Sequence, residues 1–416
     1  MSQSVAVIGS GIAGLTAASL CRRAGFDVTI FESRERLGMD AHAVAVHGGL
    51  VDMPLRVMNE EGWTAVLGLA ESVGVGTFPV DIYTSCSWVD RKTWFRYGRM
   101  PLTRWPLVGS LRFLNFDALR LARGMIVLAS LTRTLSETRS KITLAGLLKR
   151  ERLDPLFWRG LIVPMLKTIC TCEEKHLMAW PAAQLLTLLH QIMHCERFLR
   201  LAGGTSALVE ALAKGIPARL DSAVTRVSPD GNGISVLNDR DEGGCFDRVI
   251  VATQANQLDF LHSSPFADER EVLGKIPYAS GELWVHSDER FMPERRSDWT
   301  ALNFQMDDDL KESMFTVWVN AVEPSLRDKG PVFQTWNPLF EPASDSVLVR
   351  VPMQRAVVNR ATGSVLRQLG KWHAQADRRL FYCGSWAWPG VPLLETGVLS
   401  ARAVVETIES QANQVG

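Results

Sequence analysis

The first pattern suited to chemistry in this sequence is a glycine cluster near its N-terminus. Gly9, Gly11 and Gly14 have the spacing G-x-G-x-x-G, with Ser10 and Ala13 between them. In such a turn the first glycine allows a tight bend and the second lets the backbone approach a pyrophosphate. The third lets the following helix pack closely against the strand. The pattern predicts a bound dinucleotide, with its phosphates at the positive end of that helix.

The flanking residues predict the strand–turn–helix–strand unit that this motif requires. Val5–Ile8 is an apolar run typical of a buried parallel strand, and Val28–Phe31 is a second one that ends at Glu32. A carboxylate at this point accepts hydrogen bonds from both ribose hydroxyls. Because it would repel a 2′-phosphate, Glu32 argues against NADP.

The segment after the second strand indicates which dinucleotide is bound. Glu32, Arg36 and Gly38 have the order E-x-x-x-R-x-G. This order resembles the glutathione-reductase-type FAD proteins, above all the amine oxidase and phytoene desaturase superfamily. The resemblance implies FAD, with Ser33, Arg36 and Gly38 along the cofactor. The second glycine of the family's pair is replaced here by Met39.

A second block, 201–253, is similar to the same superfamily. Gly203-Gly204-Thr205 opens a predicted helix, and a hairpin then leads to a strand that ends near Thr253. The resemblance implies that Val224 holds the adenine through its backbone and that Thr253 lies beneath the cofactor.

The C-terminus resembles the closing FAD segment of the superfamily. A predicted strand ends at Gly384 and Ser385, and Glu395 and Thr396 precede a helix predicted over 398–408. The resemblance implies cofactor contacts for these four residues, although Ser385 stands where relatives carry aspartate. Two tryptophans of the intervening loop either cover the isoalloxazine at the substrate pocket or pack as core residues; they are Trp386 and Trp388.

The middle of the chain narrows the resemblance. Segments such as Trp284–Asp288 and Phe333–Pro338 resemble bacterial flavoproteins known as predicted NAD/FAD-binding proteins. Members of that group are found near cyclopropane-fatty-acid-synthase-like genes, which implies a lipid-related substrate.

Three side chains are candidates for catalysis. In the superfamily, the stretch that contains Arg56 runs past the reactive edge of the flavin. Its permanent charge would hold a substrate carboxylate or an anionic flavin; the alternative is a surface pair with Glu60. His286 is either a catalytic group oriented by Asp288 or a core histidine. His42 is an acid/base group, a flavin attachment point or a structural residue.

Two familiar kinds of site are not predicted. Amine oxidases of the superfamily carry a lysine on the strand that aligns with Leu283–Val285, and this chain has none there, because Lys275 comes too early. Cys170, Cys172 and His176 lack the second cysteine pair of a structural zinc site. No metal is predicted.

These blocks predict an α/β fold, in which a glutathione-reductase-type Rossmann FAD-binding domain is interleaved with an α+β substrate domain. The FAD-binding domain is predicted from 1–55, 196–262 and 372–416, and the substrate domain from 56–195 and 263–371. The apolar composition of the second part suggests either a substrate tunnel or a solid core.

Composition limits the partners. Lys plus Arg and Asp plus Glu both number 45, so the net charge of zero argues against nucleic-acid binding. Seven cysteines at irregular spacing in a chain of 416 residues predict no disulfide framework and favour the cytoplasm. Neither a signal peptide nor a membrane span is predicted, but contact of one helix with a membrane surface stays open. The oligomeric state is not predicted.

The sequence therefore predicts an FAD-dependent oxidoreductase. It would transfer hydride from an apolar, lipid-like or biosynthetic substrate to flavin N5, with oxygen as the acceptor. Three alternatives stay open: an amine or amino-acid oxidase, a double-bond isomerase, and a non-catalytic flavoprotein partner of a lipid enzyme.

Overall fold

A computed structural model describes residues 2–38, 43–98, 111–138, 140–195, 197–231, 233–261 and 266–415. One half of the molecule is built on a parallel sheet. Its strands are buried on both faces, which explains their continuous apolar runs. In spatial order they are Ala218–Arg219, Asp27–Phe31, Ser4–Ile8, Arg248–Val251 and Leu380–Tyr382.

Helices cover both faces of this sheet, as in a Rossmann fold. One face packs against the helices Ile12–Arg23, Thr64–Ser72, Gly204–Ala213 and Leu394–Val415. The other face packs against Ala267–Leu273, Thr362–His373 and an antiparallel sheet of the strands Val224–Asp230, Gly233–Asn238 and Gly243–Phe246. The predicted fold class is confirmed.

The other half contains a mixed sheet with an apolar inner face. Its strands, in spatial order, are Val347–Ala356, Tyr278–His286, Phe333–Trp336, Ser313–Trp318, Leu302–Met306, Thr84–Trp88 and Thr93–Tyr97. Helices close its core, and they are Phe116–Glu137, Leu144–Arg150, Pro155–Phe157, Val163–Cys170, Glu174–Leu177 and Ala182–Met193. A π-helical turn, Trp158–Ile162, joins two of them.

Short elements connect the two halves. Met58–Asn59 and Thr77–Val80 pair with Phe198–Leu201, and Val44–Val46 pairs with Gly49–Val51. Single 3₁₀ turns complete the described chain at Leu111–Phe113, Asp259–Leu261, Glu289–Phe291, Arg296–Asp298, Val319–Ala321, Pro324–Leu326 and Ser385–Ala387.

Two helices pack against the parallel sheet, although the predicted domain limits assign them wholly or mostly to the substrate domain. Thr64–Ser72 lies in the predicted substrate segment, yet it packs in the core of the parallel sheet. Most of Thr362–His373 also precedes the predicted limit at 372, and its Val365 and Leu369 pack beside Leu380. Hydrophobic faces, rather than position along the insertions, decide which core a helix joins.

Two other elements were not fully predicted. The last helix spans Leu394–Val415, longer at both ends than the predicted 398–408. The strand Val347–Ala356 was not predicted. Within the described ranges, no helix combines the length and the hydropathy needed to cross a membrane.

Candidate active site

The glycine turn has the tight geometry that its spacing predicts. Gly9 has a φ of +94°, which favours glycine. A Cβ on Gly14 would lie 2.0 Å from the carbonyl oxygen of Gly9, whereas a Cβ on Gly11 would meet nothing within 4 Å. Gly9 therefore suits the backbone conformation and Gly14 the close packing of the turn, whereas Gly11 faces open space.

That open space adjoins the start of a helix. Gly11 is the N-cap of Ile12–Arg23 and offers no side-chain cap, so the first amides lack helical acceptors. Gly11, Ile12 and Ala13 all line one cavity. This is the arrangement that binds phosphate at a helix N-terminus.

Ser10 connects this turn with Glu32. Its amide and hydroxyl donate to Glu32 Oε2 at 2.9 and 2.5 Å. Its Oγ accepts from the Gly38 amide at 2.8 Å. A Cβ on Gly38 would lie 2.8 Å from Val209, so glycine is required there.

The residues predicted for the adenosine half of FAD lie nearby. Ser222, just before the strand of Val224, donates its amide to the Glu32 carbonyl at 2.9 Å. Glu32 also accepts from the hydroxyl of Ser33 at 3.2 Å. Arg36 is largely exposed and lies 3.7 Å from Glu35, so its cofactor contact stays a prediction.

The opposite side of the cavity comes from two chain segments. Thr253, Gly384, Ser385 and Trp386 all line it. The indole nitrogen of Trp386 donates to the Thr253 carbonyl at 3.0 Å and fixes the two segments together. Trp388 is half-buried and is not among the described lining residues.

Glu395 and Thr396 have structural partners. The Glu395 carboxylate accepts from the amides of Ala65 and Val66 at 2.7 and 2.9 Å, capping the helix Thr64–Ser72. Thr396 Oγ1 donates to the Leu393 carbonyl at 2.9 Å. The cap was not foreseen from the sequence, and cofactor contacts of both residues stay predictions.

These features fit FAD. The uncapped helix N-terminus and the free space beside Gly11 suit the pyrophosphate. Glu32 lies where its carboxylate would accept hydrogen bonds from the ribose hydroxyls. Thr253 and Ser385 line the space that continues from the turn.

The cavity extends from the glycine turn into the mixed sheet. Its volume is about 360 Å³, so this part of the molecule is not a solid core. Side chains of the mixed sheet and its helices form the far wall, including Thr168, Ile169, Leu283, Leu302, Phe315, Val317, Gln334 and Arg355.

Arg56 lies in this wall, and its place beside the reactive edge of the flavin stays a prediction. Its guanidinium donates to the Pro54 carbonyl at 3.1 Å. Burial lowers the pKa of Arg56 to about 10; Asp52 opposes the shift and Arg355 adds to it. The arginine therefore stays charged at neutral pH. Its alternative partner Glu60 instead lies 3.7 Å from Arg197.

Two buried side chains hold the loop that carries Arg56. Gln334 donates to the Asp52 carbonyl at 2.6 Å and accepts from the Leu55 amide at 2.8 Å. The Asp52 carboxylate accepts from the Thr205 amide at 3.2 Å. These residues were not predicted as site residues, although Gln334 belongs to a segment that resembles the family.

The predicted catalytic role of His286 has no support in this geometry. The side chain is fully buried and does not line the cavity. Its Nε2 lies 3.0 Å from Thr335 Oγ1, and its Nδ1 accepts from the Asp288 amide. Burial lowers the pKa of His286 to about 4, so the ring is neutral. His42 lies outside the described residues.

Leu283, on the strand for which the resemblance implied a lysine in amine oxidases, lines the cavity. Lys275 is instead exposed and lies 3.4 Å from Glu271. Among the described residues, no three His, Cys, Asp or Glu side chains form a group able to hold a metal.

Known proteins share both sequence and fold with this chain. The "Putative flavin-containing monoamine oxidase AofH" of Mycobacterium tuberculosis is 28% identical over 282 residues, which cover 65% of this chain and 61% of that protein. The chain thus spans about three-fifths of the length of this curated relative.

Solved structures support the fold. A putrescine oxidase has a TM-score of 0.68 at 14% identity and 99% coverage of both chains. A CLA-producing fatty acid isomerase from P. acnes has a TM-score of 0.67 at 15% identity, covering 97% of this chain and 98% of that one.

The sequence model of the flavin-containing amine oxidoreductases matches residues 12–408, nearly the whole chain. The matched range includes Glu32 and most of the Rossmann sheet. The chain therefore belongs to the flavin-containing amine oxidoreductase family, and its cofactor is FAD.

Proposed function

We propose that this protein is an oxidoreductase that acts on an apolar substrate. The observation that carries the proposal is a single cavity lined both by the glycine turn and by apolar side chains of the mixed sheet. FAD bound in this cavity would supply a hydride acceptor, with oxygen as the proposed final electron acceptor. The chain itself positions the substrate between Leu283, Phe315 and Val317 and excludes water from that space.

The charge and the apolar side chains of the cavity wall favour an apolar substrate without a basic group over an amine. The strand segment 283–285, which resembles the one that carries a lysine in amine oxidases, contains no lysine, and its Leu283 lines the cavity. Arg56 and Arg355 place positive charge in the same cavity, which repels a protonated amine. Oxidation of an amine is therefore less favoured than oxidation of an apolar substrate.

An anaerobic titration tests the proposal. Purified holoprotein is mixed with lipid extract of the producing cell while flavin absorbance is followed and the lipids are analysed. Bleaching that is reversed by air supports an oxidase. An altered lipid without bleaching indicates an isomerase instead. No change with lipids but bleaching with amines would contradict the proposal, and no response to either would favour a non-catalytic partner.

We also propose that the protein is cytoplasmic and contacts membranes through one helix. The cytoplasmic location is supported by seven free thiols. On Phe116–Glu137, the side chains of Phe116, Leu119 and Ile126 are 74%, 68% and 72% exposed. Arg123 is exposed on the same helix. An apolar face bearing a cation suits an anionic bilayer surface.

Vesicle sedimentation tests this contact. The double variant L119S/I126S is expected to bind phosphatidylglycerol-containing vesicles several-fold more weakly than the wild type. L348S serves as the control, because Leu348 is also exposed but lies on the mixed sheet. Equal binding of all three proteins would exclude the helix as the contact, and a dimer lost in L119S/I126S would assign the face to a second copy.

A further inference from the structure

The cavity carries charge of one sign. Among the described residues that line it, the ionisable side chains are Arg56 and Arg355. The other lining residues are apolar or carry uncharged groups, such as Gln334 and Thr168. Such a lining favours an anionic group on the ligand and disfavours a cationic one.

Arg355 reaches the cavity because of its place in a strand. In Val347–Ala356 the side chains alternate between the two faces of the sheet. Val349, Val351 and Met353 pack against the core, and Arg355 follows them in the same register. It is therefore a charged residue at the end of an otherwise apolar row.

Arg355 has no anionic partner within the described part of the chain. The ionisable groups that favour its charged form are Cys170 and Cys172, and Arg56 is a second cation near it. Burial raises the pKa of Cys172 to about 12 and that of Cys170 well above its ordinary value. Both thiols are thus neutral at pH 7. The neighbouring Glu173 lies 4.0 Å from Lys167 and accepts a hydrogen bond from an asparagine.

The negative charges of the carboxylates near Arg56 are already offset by arginines. Asp52 lies 3.5 Å from Arg200, and Arg200 lies 2.6 Å from Glu323. These two carboxylates offset the charges of Arg200 and Arg56. Among the described protein groups, Arg355 remains as one excess positive charge in the part of the cavity wall that the mixed sheet forms.

We propose that Arg56 and Arg355 form a subsite for a substrate carboxylate. A single carboxylate would cancel the excess charge, and planar guanidinium groups bind carboxylates through paired hydrogen bonds. The substrate is then an apolar molecule with one carboxylate and no ammonium group, as in a fatty acid. This inference rests on the proposed function, since it names the substrate class of the same cavity.

Calorimetric titration of the anaerobic holoprotein tests the subsite without requiring turnover. The probes are decanoate, 1-decanol and decylamine, which differ only in their head group, with L-phenylalanine as a probe that carries both a carboxylate and an ammonium group. Decanoate is expected to bind about tenfold or more tightly than 1-decanol, and decylamine more weakly than either. L-phenylalanine is expected to bind more weakly than decanoate, because the two arginines repel its ammonium group, and tighter binding of L-phenylalanine would contradict this substrate class.

Variants locate the effect. R355Q is expected to weaken carboxylate binding about tenfold or more and to leave 1-decanol binding unchanged. R350Q is the matched control, because Arg350 lies on the same strand but on its exposed side, 2.6 Å from Glu282. If R355Q does not fold, R355K retains the charge without the planar group and should show a smaller loss.

Several results would overturn the subsite. Equal binding of the carboxylates and 1-decanol would do so, as would carboxylate binding that is unchanged in both Arg355 variants. Purification of R355Q without FAD, although folded, would assign the guanidinium to the cofactor. Head-group-dependent binding without flavin reduction would instead support the subsite and refute oxidation in the proposed function.

Discussion

The glycine turn provides a paired prediction that separates folding from cofactor binding. A Cβ on Gly14 would lie 2.0 Å from the Gly9 oxygen and 3.1 Å from the Ala252 Cβ. Because these contacts involve backbone, the helix Ile12–Arg23 must shift. Overpacking of this kind costs about 1–3 kcal/mol. G14A is expected to lower the free energy of unfolding of the apoprotein by at least this amount.

G11A should behave in the opposite way. Gly11 has a φ of −58°, which alanine adopts, and its Cβ would meet no protein atom within 4 Å. The stability of the apoprotein should change by less than about 1 kcal/mol. The new methyl group would enter the space assigned to the pyrophosphate, so the Kd for FAD should rise at least about tenfold, which corresponds to about 1.4 kcal/mol.

Urea unfolding of the apoproteins and quenching of FAD fluorescence measure the two quantities separately. Wild-type FAD affinity in G11A would refute the placement of the pyrophosphate at this helix N-terminus. Wild-type stability of apo G14A would refute the close-packing argument, because the clash depends only on protein atoms.

Three other substitutions test single interactions. Burial lowers the pKa of His373 to about 3, so the folded protein binds fewer protons than the unfolded chain below about pH 6.5. The stabilisation from the neutral ring is fully present above that pH, and the free energy of unfolding falls by about 1.4 kcal/mol per pH unit as the pH is lowered toward 3. H373Q should reduce this dependence of the free energy of unfolding on pH, measured by urea unfolding at pH 5–7. An unchanged dependence would contradict the assignment to His373. D52N should lower the free energy of unfolding by about 1–3 kcal/mol, because it weakens a buried network, whereas E60Q at an exposed pair should change it by less than about 1 kcal/mol. E395Q should lower the melting temperature through loss of the cap on Thr64–Ser72, equivalent to about 0.5–2 kcal/mol, with FAD affinity unchanged; a selective loss of FAD affinity would assign Glu395 to the cofactor instead.

The cofactor half of the molecule was predictable because its sequence rules are local. The spacing of Gly9, Gly11 and Gly14 and the carboxylate after the second strand define one short structural unit. The strands Ser4–Ile8 and Asp27–Phe31 lie within one residue of the predicted ones. The family match confirms what this unit implied about the cofactor.

The details of the site were less predictable because they depend on contacts distant in sequence. Glu395 caps a helix 330 residues earlier, and Gln334 holds a loop that precedes it by 279 residues. His286 has the sequence context of a catalytic residue, yet the register of its strand places it in the core. Neither spacing nor residue type reveals such pairings before the sheet is assembled.

The inward position of Arg355 could have been predicted from the alternation of apolar residues along its strand. The alternation of Val349, Val351 and Met353 predicts an inward row, and an arginine in that row requires a reason. Buried charge without a paired side chain is costly, so such a residue indicates a ligand of opposite charge. The alternation is visible in the sequence, whereas the cavity at the end of the row is visible only in the structure.

The charge of the cavity wall bears on the substrate more directly than the family does. The family match spans both halves of the chain and does not specify whether the substrate is cationic, neutral or anionic. The described residues that line the cavity include Leu283 and two arginines, and no lysine is among them. A protonated amine would meet two like charges there, whereas a carboxylate would meet two partners. The charge of this wall is therefore the basis on which a carboxylic acid is proposed as the substrate.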